Sequence, residues 1–169
     1  CASRQLEEVT FRRTVIPVQE LLDAAGKYFK KLMKNRPERI ELEIEPMEAK
    51  VIGDVNQLRF LLENLIDEAL TVREDGVIRL QARKDNEYIR FLFTDTRREK
   101  SVEELNQLFY PNLARMTSGE KGELRGTEYL VCKQIIRDHD EFAGRRGCRI
   151  NAEPAEGGGF TVYFTIPRR

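Results

Sequence analysis

The side chains that could carry covalent chemistry are few in this chain of 169 residues. There is one histidine, His139, and there are three cysteines, Cys1, Cys132 and Cys148. Nucleophilic catalysis needs a hydroxyl or thiol beside a base that a third group orients, and the sequence offers no Ser-His-Asp or Cys-His set. The cysteines also lack metal-ligand spacing. The sequence therefore favours neither a hydrolase of this kind nor a metal cluster.

Charge and composition exclude further classes of function. Lys plus Arg number 29 and Asp plus Glu number 29, so no overall field points to nucleic acid or to an anionic membrane. No apolar run approaches the roughly 20 residues of a membrane span, and no signal peptide is present. The odd cysteine count favours a reducing, cytoplasmic setting. The length suits one domain with a sizeable core, and the start at Cys rather than Met favours a fragment of a longer protein.

Hydrophobic periodicity predicts an alternation of helices and strands. The predicted helices cover residues 17–33, 54–70, 101–109 and 127–138, and the predicted strands cover 40–44, 49–52, 77–83, 88–94, 149–153 and 160–166. Ser101 is the predicted N-cap of the third helix. This order predicts an α+β fold, a two-layer α/β sandwich in which helices cover one face of a mixed, largely antiparallel sheet.

The predicted helix at 54–70 resembles the N-box helix of the histidine-kinase ATP-binding domain. In that family an Asp is followed by a Leu four residues later, an Asn ten later and an Asn-Ala pair at fourteen and fifteen. The positions in register are Asp54, Leu58, Asn64 and Ala69, whereas Glu68 replaces the second Asn. The resemblance implies that the second Asn position binds Mg²⁺, a hard ion that takes oxygen ligands. Asn64 and Glu68 are thus the candidate Mg²⁺ ligands, and Glu68 adds a negative charge beside a triphosphate.

A second alignment of the same helix is open. The string ENLIDEA also resembles the gyrase-type N-box, in which Asn64 would be the Mg²⁺ ligand. That register places Phe60 where the gyrase class has its catalytic Glu, and it loses the matches at Asp54 and Leu58. We prefer the kinase register, and neither register supports hydrolysis.

The strand ending FTDTRREK resembles the next box of the family, D-x-G-x-G. There the Asp accepts the adenine amino group, and the glycines let the backbone approach the base. Asp95 stands at the Asp, and Arg97 and Glu99 replace both glycines, where they are expected to crowd the adenine pocket. A solvated Asp95 at the end of a strand is the alternative, and the sequence does not decide between the two.

The last box of the family opens a helix whose N-terminal amides meet phosphate. Here Leu124, Gly126 and Glu128 fall at three glycine positions, so only Gly126 survives. Glu128 puts a carboxylate where an anion would dock, and we expect it to take the place of the phosphate at the positive helix end. The candidate ATP-site residues are therefore Asn64, Glu68, Asp95 and Gly126.

Together these boxes resemble the GHKL superfamily, which includes histidine kinases, gyrase-type ATPases, Hsp90 and MutL. The resemblance runs from about residue 15 to 167 and includes the closing EGGGFTVYFTIP. It implies a single ATP-binding domain at 15–169, preceded at 1–14 by a linker from an upstream dimerisation region. Because the metal, adenine and phosphate boxes are all altered, we expect ATP and Mg²⁺ to bind weakly or not at all.

The implied function is that of a degenerate histidine-kinase domain in the cytoplasmic portion of a larger, membrane-anchored bacterial sensor. Its expected partners are other domains of that homodimeric sensor and a response regulator, and no nucleic acid. One alternative is a divergent but active ATP-dependent kinase domain, in which Glu68 is a Mg²⁺ ligand and Arg115, Lys121 or Arg125 reaches the phosphates. Another is a stand-alone binding module similar to the anti-sigma-factor kinases.

Three features outside the boxes complete the expectations. His139 is expected to have a structural or surface role, because the phosphoacceptor of the family lies in an upstream hairpin. Arg145, Arg146 and Arg149 form a basic cluster near Phe142 that is either a solvated loop or a contact for a partner or an anion. The polar segment 110–126 is expected to be mobile.

Overall fold

The computed structural model describes residues 10–110 and 127–169. Its strands are β1 (Thr14–Pro17), β2 (Ile40–Ile44), β3 (Lys50–Gly53), β4 (Gly76–Asp85), β5 (Tyr88–Asp95), β6 (Ile150–Pro154) and β7 (Phe160–Pro167). Its helices are α1 (Val18–Met33), α2 (Val55–Ala69), α3 (Val102–Gln107) and α4 (Glu128–Phe142). No helix among these described residues is long and apolar enough to cross a membrane.

The main sheet has five strands in the order β2-β4-β5-β7-β6. The β2–β4 pair is parallel, and the other three pairs are antiparallel. The sheet is therefore mixed and largely antiparallel, as the sequence predicts. Its register sets Asp95, the last residue of β5, opposite Ile78 on one side and Phe160 on the other.

The core lies between this sheet and the amphipathic faces of the helices. Helix α2 packs against both α1 and α4. Its buried side chains recur at helical spacing, because three or four residues separate neighbours on one helix face; they include Leu58, Leu61, Leu62, Leu65 and Ile66. From the sheet, alternate residues of β5 and β7 face inward, and Phe91 and Phe164 stack with ring centroids 4.8 Å apart. The two-layer sandwich is thus confirmed.

Two features of the elements differ from the sequence expectations. Strand β1 is new: it pairs with β3 in a separate antiparallel ribbon, although residues 14–17 lack a strand-like pattern and bury only Ile16. Helix α4 continues to Phe142, beyond the predicted end at 138. Residues 111–126 lie outside the described residues. They include Gly126 and almost all of the segment that is expected to be mobile.

Candidate functional site

Asp95 is buried at the end of β5, with 4% of its surface exposed. The alternative of a solvated residue after a strand is therefore wrong. The closing turn before β7 approaches this point closely, since a Cβ on Gly159 would overlap the backbone oxygen of Asp95. Gly159 also has a φ of +88°, a conformation that favours glycine. The Gly-rich turn thus packs directly on the backbone at Asp95.

The guanidinium of Arg97 lies on that carboxylate. Nε of Arg97 donates to Oδ1 of Asp95 at 2.9 Å and Nη2 donates to Oδ2 at 2.9 Å, which makes a two-pronged ion pair. The backbone N–H of Arg97 also donates to Oδ1, at 3.0 Å. The two side chains are only 1% and 5% exposed. A planar guanidinium fits a carboxylate in this way because its N–H groups form a rigid fork.

The same guanidinium holds the chain that follows α2. Nη2 donates to the carbonyl of Ala69 at 2.6 Å, and Nη1 donates to the carbonyls of Val72 and Glu74 at 2.9 and 3.0 Å. A guanidinium carries five N–H donors, and with Asp95 all five are used. The stem packs on Gly76, where a Cβ would lie 2.5 Å from Cγ of Arg97.

The contacts of Asp95 therefore differ from both expectations, an adenine-binding carboxylate and a solvated one. Arg97 donates to both oxygens of the carboxylate that, by the family resemblance, would accept the base, whereas crowding of the adenine position stays a prediction. Glu99, the second replaced glycine, is exposed instead. The spacing of Asp95 and Arg97, two residues apart, was the available sequence signal for this ion pair. The carbonyl partners at 69, 72 and 74 are distant in sequence and had no signal.

The two candidate metal ligands lie on α2. Asn64 is 7% exposed, and its Nδ2 donates to the carbonyl of Phe60, one turn earlier, at 2.7 Å. Glu68 lies one turn later and is half-buried. Among the described residues no group of three His, Cys, Asp or Glu side chains could hold a metal ion. Oxygen ligands from Asn64 and Glu68 alone would leave most of the octahedral shell of Mg²⁺ to other donors.

Glu128 is the first residue of α4, where the family resemblance puts a phosphate-binding glycine. Its Oε2 is buried and has no hydrogen-bond partner in the described structure, so this oxygen does not replace a phosphate. Burial raises the pKa of the Cys132 thiol, and the nearby carboxylates of Glu128 and, less strongly, Glu68 raise it further. Glu128 and Glu68 thus both lie within electrostatic range of Cys132.

His139 has a structural role and is fully buried. Its Nε2 accepts the backbone N–H of Asp54 at 3.0 Å, and its Nδ1 lies 2.8 Å from the carbonyl of Ile135. These two contacts fit a neutral ring with the proton on Nδ1. Asp54 caps α2 by accepting the N–H of Gln57, and its second oxygen accepts the N–H of Arg12. His139 therefore joins α4 to the start of α2 and to the segment before β1.

Burial lowers the pKa of His139 below its ordinary value of 6.5. The carbonyl of Ile135 and the carboxylates of Asp54 and Asp138 act in the opposite direction but do not outweigh burial. In the unfolded chain the ring gains its proton at a higher pH than in the folded chain. The free energy of unfolding therefore falls as the pH drops below 6.5.

The loop that carries the basic cluster is fixed to the domain. Asp140 accepts the backbone N–H groups of Gly147 and Cys148 at 2.6 and 3.1 Å and pairs with Arg146 at 3.2 Å. The hydroxyl of Tyr88 donates to the carbonyl of Arg146. Burial raises the pKa of the Cys148 thiol to about 12, so the thiol is neutral at neutral pH.

Two open grooves of the described residues lie away from these side chains. Two grooves of about 720 and 770 Å³ flank α1, one against β2 and one against α2. Neither is lined by Asn64, Glu68 or Asp95, and their walls mix acids and bases such as Asp23 and Lys27. The grooves therefore do not coincide with the candidate nucleotide residues.

Comparison with solved structures gives the same architecture. The nucleotide-free catalytic domain of histidine kinase ThkA matches with a TM-score of 0.72 and 21% identity over 93% of this chain and 96% of that one. The mycobacterial sensor histidine kinase MprB matches with a TM-score of 0.70 and 18% identity over 94% and 99%. ThkA in complex with the response regulator protein TrrA matches with a TM-score of 0.71 and 18% identity over 99% of this chain and 46% of that chain.

At the sequence level, no curated protein matches the chain. A family model does: residues 53–169, well over half of the chain, match the model of the histidine kinase-, DNA gyrase B- and HSP90-like ATPases. The matched region begins at the end of β3 and includes α2, the Asp95 site and α4. The chain therefore belongs to the family of histidine kinase-, DNA gyrase B- and HSP90-like ATPases, and its fold is that of the histidine-kinase catalytic domains.

Proposed function

We propose that this chain is a degenerate histidine-kinase ATP-binding domain that binds nucleotide weakly or not at all and acts through protein contacts. It would be the cytoplasmic part of a larger, homodimeric and membrane-anchored bacterial sensor, with residues 1–14 as the linker and 15–169 as the domain. Its partners would be other domains of that sensor and a response regulator. A similar kinase forms a complex with a response regulator protein, which supports the last point.

The observation that carries the proposal is the Arg97–Asp95 ion pair. An adenine amino group would need an oxygen of Asp95, and both oxygens already accept from a buried guanidinium. Three donors from Arg97 already use three of the roughly four lone-pair sites of this carboxylate. A base that took the place of the guanidinium would cost Arg97 five hydrogen bonds. The residues present thus do not fit the adenine of ATP.

The phosphate end supports the same conclusion. The carboxylates of Glu68 and Glu128 lie close enough to Cys132 to raise its pKa, and both carry the sign of the phosphates. Like charges at short range cost free energy unless cations intervene. Glu68 as a Mg²⁺ ligand would remove part of this repulsion, and that is the basis of the alternative, an active kinase domain.

The test is calorimetric titration of the protein with a non-hydrolysable ATP analogue, with and without Mg²⁺. We expect no saturable binding below about millimolar nucleotide. A micromolar Kd that Mg²⁺ strengthens would refute the proposal and favour the active kinase. In that case the isosteric variant Glu68→Gln should lose the Mg²⁺ dependence, because it removes the charge of the metal ligand.

A matched pair of variants tests the role of Arg97. Arg97→Gly restores the family residue and frees the carboxylate, whereas Arg98→Gly removes a neighbouring arginine that is 55% exposed and pairs with Glu74. With folding checked by circular dichroism, Arg97→Gly should gain adenosine binding and Arg98→Gly should not. A folded Arg97→Gly variant without any gain would show that Arg97 is not what blocks the base.

A further inference from the structure

A row of cationic side chains crosses the surface near the start of the described chain. We define this cationic strip as Arg13, Lys50, Arg145, Arg168 and Arg169. The backbones of its members are linked: the N–H of Arg169 donates to the carbonyl of Lys50 at 3.0 Å. The N–H of Arg168 and Nη1 of Arg145 both donate to the carbonyl of Glu87, at 2.9 and 3.2 Å. Arg13 completes the row, since a Cβ on Gly144 would lie 2.6 Å from its Nη2.

The charges of the cationic strip are not neutralised within the described structure. None of its five members forms an ion pair there. Asp140, the acid of the same loop, pairs with Arg146 and with loop amides instead. By contrast, several arginines of the sheet and of the loop after it form ion pairs. These include Arg79 with Glu43 at 3.2 Å, Arg83 with Glu45 at 2.6 Å and Arg98 with Glu74 at 2.8 Å. The cationic strip thus concentrates positive charge on a chain whose net charge is zero.

An exposed aromatic ring lies beside the cationic strip. Phe142, at the end of α4, is 50% exposed, and its ring centroid is 5.7 Å from that of Phe11. Phe11 contacts Phe142, and Arg13 lies against Gly144, two residues after Phe142, so the ring and this cation share one surface. An aromatic ring that is supported from below and open to solvent is the kind of residue that anchors protein interfaces.

We propose that the cationic strip together with Phe142 docks an acidic face of a protein partner. Four of its five cations are arginines, whose forked guanidinium pairs with carboxylates and is common in protein interfaces. Exposed Phe142 would give such a partner an apolar contact among the charges. This deepens the proposed function, because it assigns a surface and a partner chemistry to the protein contacts.

The probe is a synthetic 12-residue peptide of Asp and Glu with two Leu residues, titrated into ¹⁵N-labelled protein at low salt without nucleotide. We expect amide shifts to cluster at residues 12–14, 50–51, 142–149 and 166–169, and affinity to fall as salt rises. The double variant Arg13→Glu with Arg145→Glu reverses two exposed charges and should weaken binding at least about tenfold. Phe142→Ala should weaken the binding that persists at high salt.

The control reverses two exposed cations elsewhere, Lys31→Glu and Arg59→Glu, and should change affinity less than about twofold. Equal losses in both double variants, or shifts spread over α1 and α2, would overturn the proposal. Binding to phosphatidylglycerol vesicles or duplex DNA in the absence of peptide binding would assign the surface to lipid or nucleic acid and would overturn it too. A failure here leaves the nucleotide titration unaffected, since no nucleotide is present.

Discussion

Replacing Arg97 with Ala should be one of the most damaging single changes in the domain. The change removes the counter-charge of Asp95, and the carboxylate then keeps only the backbone N–H of residue 97 among the donors described. Both side chains are at most 5% exposed, so water cannot solvate the carboxylate without local opening. A buried carboxylate that loses its partner is costly for this reason.

The size of the loss follows from what each broken bond leaves behind. Summing five charge-assisted bonds at about 1.5–3 kcal/mol each would overcount, because Glu74 is exposed and water can replace Arg97 at its carbonyl. The carboxylate has no such replacement. We therefore expect a loss of about 3–5 kcal/mol, typical of removing one partner of a buried ion pair. For a domain of this size that corresponds to a fall in Tm of roughly 6–20 °C.

The assay is urea unfolding followed by circular dichroism, with two control variants. Arg97→Lys keeps the charge but loses the fork, so it should cost less, about 2 kcal/mol. Arg98→Ala removes an exposed arginine and should stay within about 0.5 kcal/mol of the parent. In the double variant Arg97→Ala with Asp95→Ala, the loss of unfolding free energy should be smaller than the sum of the two single losses, because the two side chains interact directly.

A loss below about 1 kcal/mol in Arg97→Ala, or one equal to that of Arg98→Ala, would refute this reasoning. Either result would mean that water reaches Asp95 readily. Additive losses in the double variant would also contradict the ion pair. The support for a closed adenine position would then disappear as well.

Three further measurements test other parts of the structure. The free energy of unfolding should decrease as the pH falls from 7.5 to 5, because burial holds the pKa of His139 below 6.5, and His139→Gln should flatten this dependence in urea titrations. Gly159→Ala should cost several kcal/mol, since its Cβ would overlap the backbone oxygen of Asp95, whereas Gly157→Ala has a similar φ and open space and should cost about 1–2 kcal/mol in the same assay. Ser101→Ala should cost about 1 kcal/mol in thermal unfolding, because Ser101 forms a capping box.

The sequence predicts most elements of the fold because their signals are local. The period of Leu58, Leu61, Leu62 and Leu65 defines α2 without knowledge of its neighbours, and Ser101 marks the start of α3 through the residues next to it. Strand β1 has no such pattern. It forms because Val15 and Ile16 pair with Ile52 and Val51, which follow more than thirty residues later along the chain.

In the candidate site, too, the sequence predicts the local features but not the long-range contacts. Asp95 and Arg97 could be recognised from the family pattern, but their burial and the carbonyls that surround the guanidinium depend on how α2 ends beside β5. His139 had no sequence signal for its contact with Asp54, since 85 residues separate them. Long-range hydrogen bonds of this kind depend on the assembled fold and leave no periodic pattern.

The pairing of Asp95 with Arg97 explains how the fold would stay stable after the proposed loss of ATP binding. A buried carboxylate needs donors, and a domain that lost only the glycines of the base box would keep this acid without a constant partner. Arg97 supplies the charge and the donors from within the chain, so the proposed loss of ATP would leave no unpaired acid in the core. Recovery of ATP binding by mutation would then pass through a less stable variant, because Arg97→Gly removes the guanidinium from Asp95 before a ligand takes its place. If adenosine binds Arg97→Gly, it should raise the free energy of unfolding of that variant with increasing concentration and leave the parent protein unchanged.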